Sequence, residues 1–101
     1  MMNNIKEESC AVHLAITDQK FNNQIMKIIN YLKNNKIPFF WNYKYNLKKS
    51  LTKANSSKAK FIIIIGEEEF KNDIYTVKKL KSGDQYKIDI DQIKNFINDK
   101  T

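Results

Sequence analysis

The sequence predicts an α/β domain, with a mixed five-stranded sheet, helices on its faces and the order β-α-β-α-β-β-β-α. Three observations predict it. Ala59–Ile65 (AKFIIII) is a continuous apolar run, the pattern of a central strand buried on both faces. Phe21, Ile25, Ile28, Ile29 and Leu32 follow the i, i+4, i+7, i+8, i+11 spacing of one helical face. Two strand-like runs flank Lys81-Ser82-Gly83-Asp84, which reads as a hairpin turn. Strands alternating with helices and then closing on a hairpin give a mixed sheet.

Taken in order, Met1–Ser9 is polar and expected to be loose, without the basic and apolar regions of a signal peptide. The domain is expected over residues 10–101. Cys10–Ile16 (CAVHLAI) reads as a buried strand, and Thr17 offers an N-cap for the first helix. Asn34-Asn35 ends that helix. Ile37–Tyr43 (IPFFWNY) reads as a second strand, with Pro38 tolerable only at its start or edge. Alternation sends Phe39 and Trp41 to one side and Phe40 to the other. Asn46 is placed to cap a helix whose narrow stripe is Leu47, Leu51 and Ala54, and Ser56-Ser57 ends it. Gly66 closes the isoleucine strand, and Glu67–Phe70 suits a short helical turn. Ile74–Leu80 and Gln85–Ile90 are the hairpin strands. Asp91 is expected to cap a last helix carrying Ile93, Phe96 and Ile97.

Composition narrows the function classes. A length of 101 residues suits one domain, and 42% hydrophobic residues are too many for a disordered chain. The net charge is +7, and all 18 basic residues are Lys. With 13 Asn and 15 Ile, this points to an AT-rich coding sequence. From Gln19 to Gly66 there are ten Lys and no acid. Coding bias explains Lys in place of Arg, but not the missing acids. A one-signed half of a small domain attracts polyanions. Cys10 and His13 are each alone, so a reducing, cytoplasmic setting fits and no Cys-based metal site is expected. No apolar run reaches membrane-spanning length. No nucleophile triad, acid–base pair or Gly-rich phosphate loop occurs, so no catalytic residues and no cofactor are expected here.

The segment from Leu47 to Gln85 carries four short motifs in register: Ala54-Asn55, Gly66-Glu67-Glu68-Glu69, Val77-Lys78-Lys79-Leu80 and Gly83-Asp84-Gln85. In their order and spacing they resemble the C-terminal anticodon-binding domain of the histidyl-tRNA synthetases, a class II family. The resemblance covers the chain from about Cys10 onward and implies that domain's three-layer α/β/α fold, with three main helices. Threonyl, prolyl and glycyl relatives share the Gly-x-x-Glu element but tend to carry an Arg-rich segment where this chain has Val77–Leu80. Three departures are visible. The family often has Gly where this chain has Asn34, Asn35 and Lys36. It often has an acid at the position of Lys79. It usually carries some Arg.

The resemblance implies recognition of the tRNA-His anticodon loop. The parent enzyme, a homodimer through a catalytic domain absent from this chain, would use ATP and Mg to charge tRNA with histidine. The isolated domain is expected to be monomeric. Sequence-specific RNA recognition targets unstacked loop bases through their edges and by stacking on aromatics. Glu69 occupies the position that the resemblance assigns to base recognition, and a carboxylate suits the two N–H donors of a guanine edge. The same acid also suits a helix N-terminus, as do Glu67 and Glu68. Lys78 and Gln85 match base- or phosphate-contacting positions, and Tyr43 or Tyr45 suits a stacking platform. Lys48, Lys49 and Lys53 are candidates for phosphate contact, or equally a solvated helix face. Two further readings stay open: a free-standing RNA- or protein-binding module, and the matching domain of a threonyl, prolyl or glycyl enzyme.

Overall fold

A strand that is apolar on every residue must be covered on both faces, and the isoleucine strand sits where that is met. The computed structural model describes residues 12–42 and 44–100. Its elements are β1 (Val12–Ile16), α1 (Asn22–Asn34), β2 (Phe39–Phe40), α2 (Leu47–Ser56), β3 (Phe61–Ile65), α3 (Glu67–Asn72), β4 (Tyr75–Lys79), β5 (Gln85–Ile88) and α4 (Ile90–Lys100). The sheet order is β2-β1-β3-β4-β5. β3 lies at its centre, parallel to β1 and antiparallel to β4. Val12, Leu14, Ile16, Phe61, Ile63, Ile65, Tyr75 and Val77 form the first face with α1 and α4. Ala15 and Ile62 face the other way, against Ala54 of α2 and the half-buried Leu47 and Leu51.

Several boundaries differ from the sequence expectation, for local reasons. The expected strand start at Cys10 lies outside the described residues. Thr17 does not cap α1. Its N–H bonds the Ile65 carbonyl, extending the sheet, and Asp18 takes over by accepting from the Lys20 N–H at 2.9 Å. A turn of 3-10 helix, Gln19–Phe21, then leads into α1. β2 is two residues long rather than seven. Pro38 precedes it, and at its end Asn42 turns the chain away, its side chain accepting from Lys44 N and its carbonyl from Tyr45 N. Phe39 and Trp41 pack on the first face while Phe40 stacks on His13, as alternation requires. Asn46 does cap α2, accepting from Lys49 N at 2.8 Å, a bond worth about 1 kcal/mol. α4 begins at Ile90, so Asp91 lies in its first turn and Asp89 stands before it. The expected helical turn after Gly66 is a six-residue helix, which makes four α-helices among the described residues.

Three helix ends use the left-handed region without glycine. Lys36, Lys58 and Asp73 have φ of 58°, 58° and 54°. After α1, Ile37 N bonds Leu32 O and Lys36 N bonds Lys33 O. After α2, Ala59 N bonds Ala54 O and Lys58 N bonds Asn55 O. Both are Schellman motifs with Lys where Gly is usual. Lys36 thus takes, without being glycine, the backbone conformation that glycine usually supplies. Gly83 (φ 83°) supplies the same freedom in the hairpin turn, where Gly83 N bonds Lys79 O.

His13 lies on the α2 side of β1, 1% exposed, its ring 5.0 Å from that of Phe40. Its Nε2 has no hydrogen-bond partner among the described residues. Burial, and then the nearby Lys53 charge, lower its pKa below the ordinary 6.5. The folded chain therefore refuses a proton that the unfolded chain accepts.

Two outcomes follow. Lys36→Gly and Lys58→Gly should each raise stability by about 0.5–1 kcal/mol in denaturant melts, because the left-handed strain disappears. Stability should be full just above pH 7 and decline as pH drops below 6.5, where the unfolded chain binds a proton that the folded chain does not. Glu68 and Asp73, whose pKa values are lowered from 4.5 and 3.8, act only at more acidic pH. His13→Leu should remove the decline that begins below pH 6.5, as pH-resolved thermal melts would record.

Candidate nucleic-acid interface

Alternation along β4 divides its side chains cleanly. Tyr75 and Val77 are fully buried on the first face, so Thr76 and Lys78 point to the second. The ladder pairs Thr76 with Lys87 and Lys78 with Gln85. The second face is covered by α2 over β1 and β3, while the β4–β5 half carries these polar side chains. Lys78 is half-buried and Gln85 exposed. Lys78 and Gln85, seven residues apart in sequence, thus stand directly opposite each other.

Glu69 joins this face from α3. Its Oε1 accepts from Gly66 N at 2.9 Å, closing the N-terminus of α3, and its Oε2 accepts from Thr76 Oγ1 at 2.6 Å. The residue is 9% exposed. The sequence reading gave it a base contact, and both oxygens also hold the fold together here. Gly66 makes the arrangement possible. A Cβ there would lie 3.2 Å from both Glu69 Oε1 and Thr17 Oγ1, tighter than ordinary packing. Glu68 takes a hydrogen bond from Lys87, which holds its carboxyl below the usual range and Lys87 above its own. Glu67 pairs with Lys20 at 3.4 Å.

The remaining candidates lie elsewhere. Lys49 Nζ stands 5.3 Å over the Tyr45 ring, and Lys53 Nζ 5.6 Å over that of Phe40. Because Phe40 belongs to β2, these residues occupy the flank of α2 opposite β4 and β5. Lys48 is exposed on α2. Tyr45 is half-buried, 6.1 Å from Phe40, and borders a cavity of about 120 Å³ with Thr17, Asp18 and Asn46. Tyr43 lies outside the described residues. The structure therefore unites Glu69, Lys78 and Gln85, and separates them from Tyr45, Lys49 and Lys53. The buried Thr76 and the exposed Lys87, which share this face, were not singled out from the sequence. Both follow from the register that the Lys79 N to Asp84 O bond sets, which differs from the one a Lys81–Asp84 turn alone implies.

Residues 6–100 match the family model described as the anticodon binding domain. The chain belongs to this family. Among relatives of the anticodon binding domain, the histidine–tRNA ligase of Thermodesulfovibrio yellowstonii is 34% identical over 97 residues, covering 95% of this chain and 23% of the ligase. That of Methanocaldococcus jannaschii is 44% identical over 50 residues, covering 50% of this chain and 12% of the ligase. Among solved structures, histidyl-tRNA synthetase from Nostoc sp. superposes with a TM-score of 0.80 at 20% identity, covering 91% of this chain and 22% of that one. The RNA binding domain of threonyl-tRNA synthetase from Cryptosporidium parvum superposes at 0.78 and 13% identity, over 87% and 22%. The chain thus spans about a quarter of the length of these relatives. At such identities the two superpositions establish the fold alone. Among the described residues, no helix is long and apolar enough to cross a membrane.

Proposed function

We propose that this chain recognises the anticodon loop of a histidine tRNA, as the tRNA-reading domain of a cytoplasmic histidine–tRNA ligase. In that reading the ligase's catalytic domain, using ATP and Mg, performs the charging. This chain selects the tRNA, and any dimer contacts belong to the rest of the enzyme. The single observation that carries the proposal is the convergence of Glu69, Lys78 and Gln85 on one polar sheet face, with Glu69 buried at its end. The three come from separate motifs of the histidyl pattern, and nothing in the core requires the last two to meet. The relatives that match the chain over most of its length support the same reading.

The chemistry suits unstacked bases. At one end of the face, the Glu69 carboxylate retains a second lone pair on each oxygen for base N–H groups. At the other end, Lys78 donates and Gln85 both donates and accepts. The described part of β4–β5 presents no aromatic on this side, so recognition there is by edge hydrogen bonding. Stacking is left to Tyr45 and Tyr43. The neighbouring lysines Lys48, Lys49 and Lys53 supply a field for the phosphates rather than a bidentate fit.

A tRNA-His anticodon stem-loop should bind more tightly than the same stem-loop with a changed anticodon. Glu69→Gln keeps an acceptor for Gly66 N and a partner for Thr76, yet should weaken the cognate RNA by about tenfold or more, the cost of one charge-assisted hydrogen bond. Lys78→Ala and Gln85→Ala should narrow the gap between the two RNAs. Equal affinity for both stem-loops would overturn the proposal. Preference for a threonine, proline or glycine anticodon would instead assign the domain to one of those enzymes. Fluorescence anisotropy on the three variants measures all of this.

A further inference from the structure

A further cavity has none of these positions in its lining. It is a cleft of about 500 Å³ between the C-terminal end of α2, the start of β3 and the end of β4. Asn55, Lys58, Lys60, Lys79, Leu80 and Lys81 line it. The two walls are tied together by Leu80 N donating to Lys60 O at 3.0 Å. Four lysines thus meet at one opening, and no acid lines it. Among the described residues, none of the four has an ion pair or a side-chain hydrogen bond, although Lys20, Lys27 and Lys87 all do. Lys58 holds its place in the left-handed conformation that glycine would occupy more cheaply. A helix C-terminus attracts one cation, which accounts for Lys58 alone. It does not account for Lys60, Lys79 and Lys81, which arrive from β3 and the hairpin.

We propose that this cleft seats the phosphate backbone of an RNA strand whose bases lie on the β4–β5 face. The inference rests on the anticodon-reading proposal above. The cleft adjoins that face, because Leu80 in its wall stands two residues beyond Lys78 and packs on the same side of the sheet, with Ala54, Ala59 and Ile62. A strand running along β4 passes from base-reading groups to unpaired ammonium groups within four residues. Ammonium groups recognise charge without geometry, which suits phosphodiesters of any sequence. Binding releases counterions, so each phosphate engaged adds about 0.7–0.9 to the salt slope of the affinity. The bound backbone also removes the mutual repulsion of the four lysines.

The test titrates the whole chain with the tRNA-His anticodon stem-loop and with its changed-anticodon counterpart, at several salt concentrations. Three variants are compared with the parent chain. In the variant K58Q/K60Q/K79Q/K81Q, both RNAs should weaken by the same factor, about tenfold or more, and the salt slope should fall by about 2. The ratio between the two RNAs should stay unchanged. Lys58→Gly should weaken binding about two- to threefold while raising the melting temperature, so lost folding cannot explain its effect. Lys36→Gly, the matching change at the other Schellman motif, should raise the melting temperature and leave binding alone. Unchanged affinity and slope in the fourfold variant and in Lys58→Gly would overturn the cleft, as would a parent chain that binds neither RNA. Should the parent bind both RNAs equally and the cleft variants still lose affinity and slope, the anticodon reading fails and the phosphate seat stands.

Discussion

The rest of the structure follows from how a five-stranded sheet is covered when the chain supplies unequal cover for its two faces. Strands about 4.8 Å apart make a sheet roughly 19 Å wide, and one helix with its side chains spans about 10 Å. The first face receives α1 and α4 and is apolar from β1 to β4. The second receives α2 alone. That helix is placed over β1 and β3, because Ala15 and Ile62 offer the apolar surface that Ala54 needs. β4 and β5 receive no such helix along that side; Glu69 closes over Thr76 at one end, and Lys78, Gln85 and Lys87 lie beyond it. Their outward residues are accordingly Thr76, Lys78, Gln85 and Lys87, and this polar half-sheet is where recognition has room to occur.

Charge is sorted on the same plan. The acids around α3 are neutralised locally: Glu67 by Lys20, Glu68 by Lys87 and Asp73 by Lys27. All three pairs are exposed, so they add little stability. Their effect is spatial. They pair off the acids at the Gly66 end of the sheet, and no acid lines the opposite lysine cleft. A basic surface of this kind follows from where acids are placed as much as from how many lysines there are.

What was legible in the sequence was whatever a single segment decides. The isoleucine run, the stripe of α1 and the Asn46 cap depend on neighbours a few residues away, and each appears where the pattern puts it. The misread boundaries depend on distant partners. Thr17 is a good cap by type, but its N–H is taken by Ile65 of another strand. The aromatic run 39–43 has strand propensity along its length, yet Asn42 ends the strand by bonding two residues ahead. The motif residues Glu69, Lys78 and Gln85 could be named in sequence, but the burial of Glu69 depends on Thr76 from the next strand. The lysine cleft was invisible for the same reason. Lys58 and Lys60 meet Lys79 and Lys81 only through the antiparallel β3–β4 pairing.

The two outermost strands carry a consequence of another kind. An exposed strand edge is a template on which a second chain can extend the sheet, and a protein with 15 isoleucines has reason to avoid that. β2 ends the sheet on one side with two residues, with Pro38 before it and the Asn42 turn after it. β5 ends it on the other with four residues, Lys87 among them, and a tight turn at its start. Both borders are too short and too interrupted to receive a partner strand in register. The shortness of β2, which costs the sheet ladder hydrogen bonds, thereby protects the chain against aggregation.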